Sequence, residues 1–226
     1  MANKRPSVVV TGANRGIGLE LVSQYLADDW QVYGCCRRPE LATQLAGLAS
    51  NSALSIHQLD VGNPGSVKKL ALALSEQSID LLINNAGIYG GERQSFGDID
   101  YAQWTRVLEV NTLGPYRVST ALANPVGNSE QRLIVNVSSA MGSIERYTTG
   151  GHYIYRSSKA ALNMVTVNLA HDLRSRGITV LSVHPGWVRT DMGGSSADIS
   201  TKTSAAGLRQ LISNATIEDS GRFVSW

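Results

Sequence analysis

The 226-residue chain predicts a doubly wound α/β fold, a parallel sheet with helices on both faces, in a single domain covering residues 1–226. Three observations carry this reading. Short apolar, β-branched runs alternate with stretches of helical spacing along the chain. A glycine-rich turn joins the first run to the first helix. Polar or glycine-rich residues then follow the carboxyl ends of later runs, the edge at which open parallel sheets bind ligands. At 42% hydrophobic and 17% charged, the chain is long enough for one well-buried core and short for two.

Taken in order, Val8, Val9 and Val10 form a strand that enters Thr11-Gly12-Ala13-Asn14-Arg15-Gly16-Ile17-Gly18. Leu19, Leu21, Val22, Tyr25 and Leu26 then mark a helix ending near residues 27–29. A second run covers 31–36, and a helical stretch follows Pro39. The third run, 54–59, alternates like a strand and stops at Asp60-Val61, after which Pro64 opens a helix with Val67, Leu70 and Leu74 along it. The fourth run, 79–83, ends in Asn84-Asn85-Ala86-Gly87. One long helix is expected over 101–122, a fifth strand over 132–137 ending in Ser138-Ser139, and a second long helix over 153–173. A sixth strand covers 178–183 and ends in His184-Pro185-Gly186. Right-handed crossovers between such strands build the parallel sheet.

Charge and cysteine usage exclude several function classes. Twenty basic against 18 acidic residues, net +2, give no global field for nucleic acid or a membrane surface. The two cysteines, Cys35 and Cys36, are adjacent, and no His/Cys cluster has metal-ligand spacing, so neither a disulfide scaffold nor a metal site is expected. No run approaches a membrane span and the first residues lack an apolar signal core, which makes a reducing cytoplasm the expected compartment.

A glycine-rich turn opening a helix lets backbone N–H groups approach a pyrophosphate, because no Cβ intervenes and the helix N-terminus is partly positive. Gly12, Asn14, Arg15, Gly16, Ile17 and Gly18 are therefore candidate dinucleotide contacts. Their G-x-x-x-G-x-G spacing differs from G-x-G-x-x-G, so on glycines alone a purely structural turn stays open. About twenty residues on, where an acid would bond a ribose 2′-hydroxyl, stand Arg37 and Arg38, which suit a 2′-phosphate. With Arg15 as a second phosphate partner, NADP(H) is expected over NAD(H). Asp60 and Val61 suit an adenine edge, and Asn85, Ala86 and Gly87 follow the next strand. Tyr155 and Lys159 stand four apart and share a helix face. A neighbouring cation favours phenolate and lowers a tyrosine pKa from its ordinary ~10, which makes Tyr155 a candidate proton donor.

These stretches together resemble the short-chain dehydrogenase/reductase family. Thr11, Gly12, Gly16 and Gly18 match its T-G-x-x-x-G-x-G loop, and Asn84-Asn85-Ala86-Gly87 its N-N-A-G motif. Asn111, Ser139, Tyr155 and Lys159 match its catalytic tetrad, and Pro185-Gly186-Trp187-Val188-Arg189-Thr190 its P-G-x-V-x-T segment. The match runs from Val8 to Met192 in the family's order, and implies a Rossmann-type sheet and hydride transfer between NADP(H) and a carbonyl or alcohol. It further implies that Ser139 polarises the substrate carbonyl and Tyr155 exchanges the proton. Lys159 would lower the tyrosine pKa and hold the nicotinamide ribose, and Asn111 would anchor a proton-relay water. Pro185, Gly186, Val188 and Thr190 would contact the nicotinamide end. Residues 141–144, 150–153, 155–156, 160–164 and 184–187 look most like the C-factor and sniffer-type carbonyl reductase branch, whose chains usually continue a little beyond Trp226. Ser139 precedes Tyr155 by sixteen residues, a longer interval than many members have, with Gly150-Gly151 in the enlarged loop.

Two alternatives stand beside this reading: an isomerase-like relative holding NAD, against which Arg37-Arg38 argues, and an NADP(H)-binding sensor of C-factor type with little turnover. The substrate is expected to be a small hydrophobic carbonyl compound or its alcohol, with Ile88, Tyr89, Met141, Ile144, Tyr147, His152, Trp187 and Met192 as pocket candidates. In the family the two long helices form the main dimer contact, so a homo-oligomer is expected, a dimer before a tetramer.

Overall fold

The computed structural model describes residues 5–226. Seven strands form one wholly parallel sheet: β1 (Ser7–Thr11), β2 (Gln31–Cys36), β3 (Leu54–Gln58), β4 (Leu81–Asn84), β7 (Leu133–Val137), β8 (Thr179–His184) and β9 (Phe223–Ser225). A two-stranded hairpin, β5 (Gln94–Ser95) with β6 (Asp98–Ile99), stands outside it. The sheet order is β3-β2-β1-β4-β7-β8-β9, so the strand order reverses direction between β1 and β4. That reversal opens the crevice in which such sheets bind ligands.

Both faces of the middle of the sheet are covered, which is why β1, β4 and β7 read as near-continuous apolar runs, whereas the less buried edge strand β3 alternates. Val8 and Val10 point to one core with Leu21 and Val22 of α1 (Gly16–Ala27) and Leu208 of α8 (Thr201–Ser213). Val9 points to the other, where Leu82, Ile134 and Val180 meet Val67 and Leu70 of α3 (Pro64–Ala73), Val118 of α5 (Gly114–Ala121) and Leu169 of α7 (Tyr153–Leu173). A buried polar chain crosses the second layer: Asn84 Nδ2 donates to Ser119 Oγ (3.0 Å) and Asn136 Oδ1 (2.9 Å), and Asn136 Nδ2 donates to Thr166 Oγ1 (2.9 Å). Both amide nitrogens of this chain therefore have a partner, which the low dielectric favours, while Asn84 Oδ1 is buried without one.

Two expected helices differ from their sequence reading. The stretch after Pro39 is a single 3₁₀ turn, Pro39–Leu41, followed by the five-residue α2 (Thr43–Gly47). The helix expected over 101–122 is α4 (Tyr101–Leu108), a π-helical turn at Glu109–Leu113, and then α5. Pro115 is the cause: it has no N–H to give the carbonyl of Asn111, so the α ladder cannot run through this point. Gly114 N–H instead reaches Glu109 O, five residues back. A short α6 (Ala123–Gly127), helix α8, the hairpin and β9 complete the fold and were not read from the sequence. The helix expected over 153–173 is α7 itself.

Candidate active site

The glycine turn between β1 and α1 is held from behind by the loop after β4. Thr11 Oγ1 accepts the N–H groups of Asn85 and Ala86, both at 3.0 Å, and Asn85 Nδ2 donates to Thr11 O (2.9 Å) and Gly12 O (3.2 Å). Gly12 and Gly16 take φ values of +67° and +57°, where a side chain is strained, and a Cβ on Gly18 would lie 2.3 Å from Gly12 O. The turn therefore presses directly onto its own helix. No side chain caps α1, so its first N–H groups are open to an anion.

A cleft of about 940 Å³ runs along the carboxyl edge of the sheet from this turn. Gly12, Asn14, Arg15, Gly16, Ile17, Arg37, Arg38, Asp60, Val61, Asn85, Ala86, Gly87, Tyr155, Lys159, Pro185 and Thr190, all expected from the sequence, line it. Arg37 and Arg38 make no salt bridge among the described residues. Arg15 reaches across to Asp191 at 2.5 Å, an exposed pair that ties the glycine turn to the loop after β8. Asp60 is already engaged, accepting Gly62 N–H (3.0 Å) and the Arg106 guanidinium (3.5 Å). Asn85 lines the cleft, but its amide holds the glycine turn rather than pointing free.

Five expected residues do not line the cleft, each for a packing reason. Gly18 is closed under Gly12 O. Gly186, at φ +84°, lies against Ile199, whose Cδ1 would be 2.5 Å from an added Cβ, and Val188 is buried in a bridge to the same isoleucine. Ser139 is buried, and its Oγ accepts the Met141 N–H (3.1 Å) while facing the Tyr155 phenol. Asn111, in the π turn, accepts Ile88 N–H (2.9 Å) and donates to Ile88 O (2.8 Å) and Ser158 Oγ (3.1 Å). It is fully buried behind Gly87, where an added Cβ would be 3.4 Å from Asn111 Oδ1 and 3.7 Å from Lys159 Nζ. Of the pocket candidates, Ile88 and Met192 line the cleft. Ile144 is 89% exposed, and the Tyr147 ring carries the Arg156 guanidinium at 4.1 Å.

Val110, Val137, Ser138, Arg189 and Asp191 are among the cleft residues that sequence reasoning did not name as contacts. Val137 and Ser138 were marked only by standing where β7 ends. The hydroxyl of Ser138 donates to Asn163 Oδ1 at 2.7 Å, which leaves Ser139 as the serine facing the tyrosine.

The electrostatics depart from the sequence expectation. Burial pushes Tyr155 up to about 12, with the Ser139 side chain pulling the other way. Burial pushes Lys159 down to about 8. The ammonium donates to Val137 O at 2.8 Å and stands 5.8 Å from the centre of the Tyr155 ring, so desolvation of the phenol outweighs the cation's effect. At neutral pH the site holds a protonated phenol beside a buried ammonium, an arrangement able to give a proton to a nascent alkoxide.

A family model described as short chain dehydrogenase matches residues 6–200. The C-signal protein of Myxococcus xanthus is 43% identical over 148 residues, 66% of this chain and 89% of that protein. The crystal structure of NADPH-bound carbonyl reductase from chicken fatty liver superposes with a TM-score of 0.91 at 36% identity, covering 99% of this chain and 97% of the other. The carbonyl reductase Sniffer of D. melanogaster gives 0.90 at 34% identity, over 98% and 97%. Among the described residues no helix is long and apolar enough to cross a membrane.

Proposed function

The chain belongs to the short-chain dehydrogenase family, and on that premise we propose that it is an NADP(H)-dependent oxidoreductase, like the carbonyl reductases it superposes on, with Tyr155 as the proton-transfer group. The observation that carries this is one continuous cleft with unpaired arginines and an open helix N-terminus at one end and a buried Tyr-Ser-Lys group at the other. Gly12, Asn14, Gly16 and Ile17 would cradle the pyrophosphate, Arg37, Arg38 and Arg15 the 2′-phosphate, and Asp60 and Val61 the adenine side. Ala86, Gly87, Lys159, Pro185 and Thr190 would hold the nicotinamide half. When bound, NADP(H) supplies or accepts the hydride.

Each side chain then has a task. Ser139 orients the substrate oxygen against Tyr155, which gives it a proton in reduction and takes one in alcohol oxidation. Lys159 holds the ribose and carries positive charge toward the phenol. Asn111 fixes the Ile88 backbone, and its carbonyl, which Pro115 leaves without an α-helical donor, is the acceptor for a proton-relay water. Gly186 and Val188 shape the loop from behind. The non-turnover sensor alternative gains nothing from a site in which Tyr155, Ser139 and Lys159 converge.

The cytoplasm is the proposed compartment, supported by two buried, unpaired thiols at Cys35 and Cys36. A homodimer is proposed through α5 and α7, where Tyr116 and Met164 lie exposed; light scattering giving a mass near the 24.2 kDa of one chain would overturn it. The central test is NADPH fluorescence loss against a panel of hydrophobic aldehydes and ketones, with NADH in parallel. Turnover with NADPH is expected; tight NADPH binding without turnover on any of them would replace the enzyme reading by the sensor.

A further inference from the structure

The first turn of α7, which carries Tyr155, begins without a cap of its own. His152 precedes it at φ +53° and makes no side-chain cap, so the N–H groups of the turn need partners from elsewhere. One comes from the hairpin: Tyr155 N–H donates to Gln94 Oε1 at 2.9 Å. Gln94 is 2% exposed, and its Nε2 donates in turn to Tyr89 O (3.1 Å) and Gly91 O (2.7 Å). A single buried amide thus joins the helix to the 88–95 segment by three hydrogen bonds.

That segment forms the wall next to the phenol. The Tyr89 ring stands 5.0 Å from the Tyr155 ring, and its hydroxyl shares a 2.6 Å hydrogen bond with His152 Nδ1. A Cβ on Gly90, at φ +98°, would lie 2.7 Å from Val107 and 2.9 Å from Ile154, so the segment is pressed between α4 and α7. Its start is pinned by Asn111 through both polar groups of Ile88. The strap is therefore anchored to Asn111 at one end and to the Tyr155 backbone at the other.

We propose that Gln94 is a positioning residue for Tyr155: it supplies from a distance the cap that α7 lacks, and it fastens the Tyr89 wall to the catalytic turn so that phenol and wall move as one body. The proposal rests on the reading of Tyr155 as the proton-transfer group. Burial of an amide with all three of its bonds directed to two facing segments suits a part that sets geometry rather than one that meets substrate. Displacement of a reacting group by about 1 Å costs on the order of a hundredfold in rate, so loosening this junction should be visible in turnover.

The test compares Gln94→Met, close in length and without the polar groups, with Gln94→Glu. Glutamate keeps an acceptor for Tyr155 N–H at a helix N-terminus, where negative charge is favoured, but loses both donors to the Tyr89 and Gly91 carbonyls. With active sites counted by NADPH titration, Gln94→Met is expected to lower kcat about tenfold or more and to speed amide exchange at Tyr155, leaving the NADPH Kd within about twofold. Gln94→Glu is expected to raise KM for a ketone severalfold while keeping most of kcat. Wild-type kcat and KM per site in these variants overturn the proposal. If Gln94→Met does not fold, the split of KM against kcat in Gln94→Glu decides it alone. Tyr155→Phe serves as companion: an active Tyr155→Phe enzyme removes the reading of the tyrosine itself, whereas an inactive one beside an unaffected Gln94→Met removes only the positioning role.

Discussion

At the arginine end of the cleft, the parts lie within one continuous stretch, residues 8–38, and work largely through backbone: two glycines at positive φ, a third without room for a Cβ, and an uncapped helix N-terminus. At the tyrosine end, Asn111, Ser139, Tyr155 and Lys159 come from the π turn, the loop after β7 and α7, and meet only because the sheet aligns its strand ends. The first end is local and sterically specified. The second depends on long-range packing, and its chemistry on desolvation that packing creates. Changes at the two ends should therefore separate cleanly into cofactor effects and turnover effects.

The largest expected break in this comparison is at the tyrosine end. Tyr155→Phe removes one hydroxyl from a buried ring, so the cleft should persist while the proton donor is lost. A fall in kcat of about 10²–10⁴ is expected, with NADPH affinity nearly unchanged. Stopped-flow turnover with deuterated cofactor, alongside fluorescence titration, measures both; a variant keeping a large part of wild-type kcat, with the chemical step limiting, would remove Tyr155 from the mechanism.

At the other end, Arg37→Asp replaces an unpaired cation with an anion facing the 2′-phosphate. Charge-assisted hydrogen bonds are worth roughly 1.5–3 kcal/mol, so wild type should prefer NADPH over NADH by about tenfold or more and the variant should reverse that preference. Here kcat with the preferred cofactor should hold. Arg15→Ala should do less, because Arg15 already shares its charge with Asp191 in an exposed pair. Equal kcat/KM for the two cofactors in wild type would place Arg37 outside recognition.

The smallest effect concerns stability. Burial holds Lys159 at about 8 against an ordinary value of 10.5, so between those pH values the unfolded chain binds more protons than the folded one. Stability contributed by this group therefore rises with pH across that window, and below pH 8 the folded chain carries the full penalty of a buried charge. Lys159→Met should be inactive yet melt a few degrees higher than wild type below pH 8, with the gap narrowing toward pH 10.5. Loss of the bond to Val137 O opposes the gain and keeps it small. A melting temperature below wild type at pH 7 would show that this hydrogen bond outweighs the burial penalty.

The six longer strands of the parallel sheet, the glycine turn and α7 were legible because each writes its requirement into neighbouring residues. A strand buried on both faces needs a β-branched run such as Val8-Val9-Val10, a tight turn needs glycine at Gly12 and Gly16, and a long helix needs 3.6-residue spacing. The cleft could be placed as well, because strand ends in a parallel sheet share one edge. Less was legible near the C-terminus. Strand β9 has three residues and pairs only with β8, too short to show a period, whereas Ser200 does cap α8 by accepting Thr203 N–H, a start signal the sequence carried.

Spacing alone therefore determined the order of elements, the edge that binds and the residue types gathered there, since all of these follow from local sterics and burial along a short window. Tertiary structure decided the rest. Pro115 turned an expected continuous helix into a π turn that aims Asn111 at Ile88 and Ser158, and Gln94 capped a helix 59 residues beyond it in sequence. Burial set Tyr155 above its ordinary value, against the lowering that a lysine four residues away on a helix had suggested, and set Lys159 below its own. Desolvation and hydrogen bonding between distant segments depend on what packs around a group, and no spacing within one segment records that.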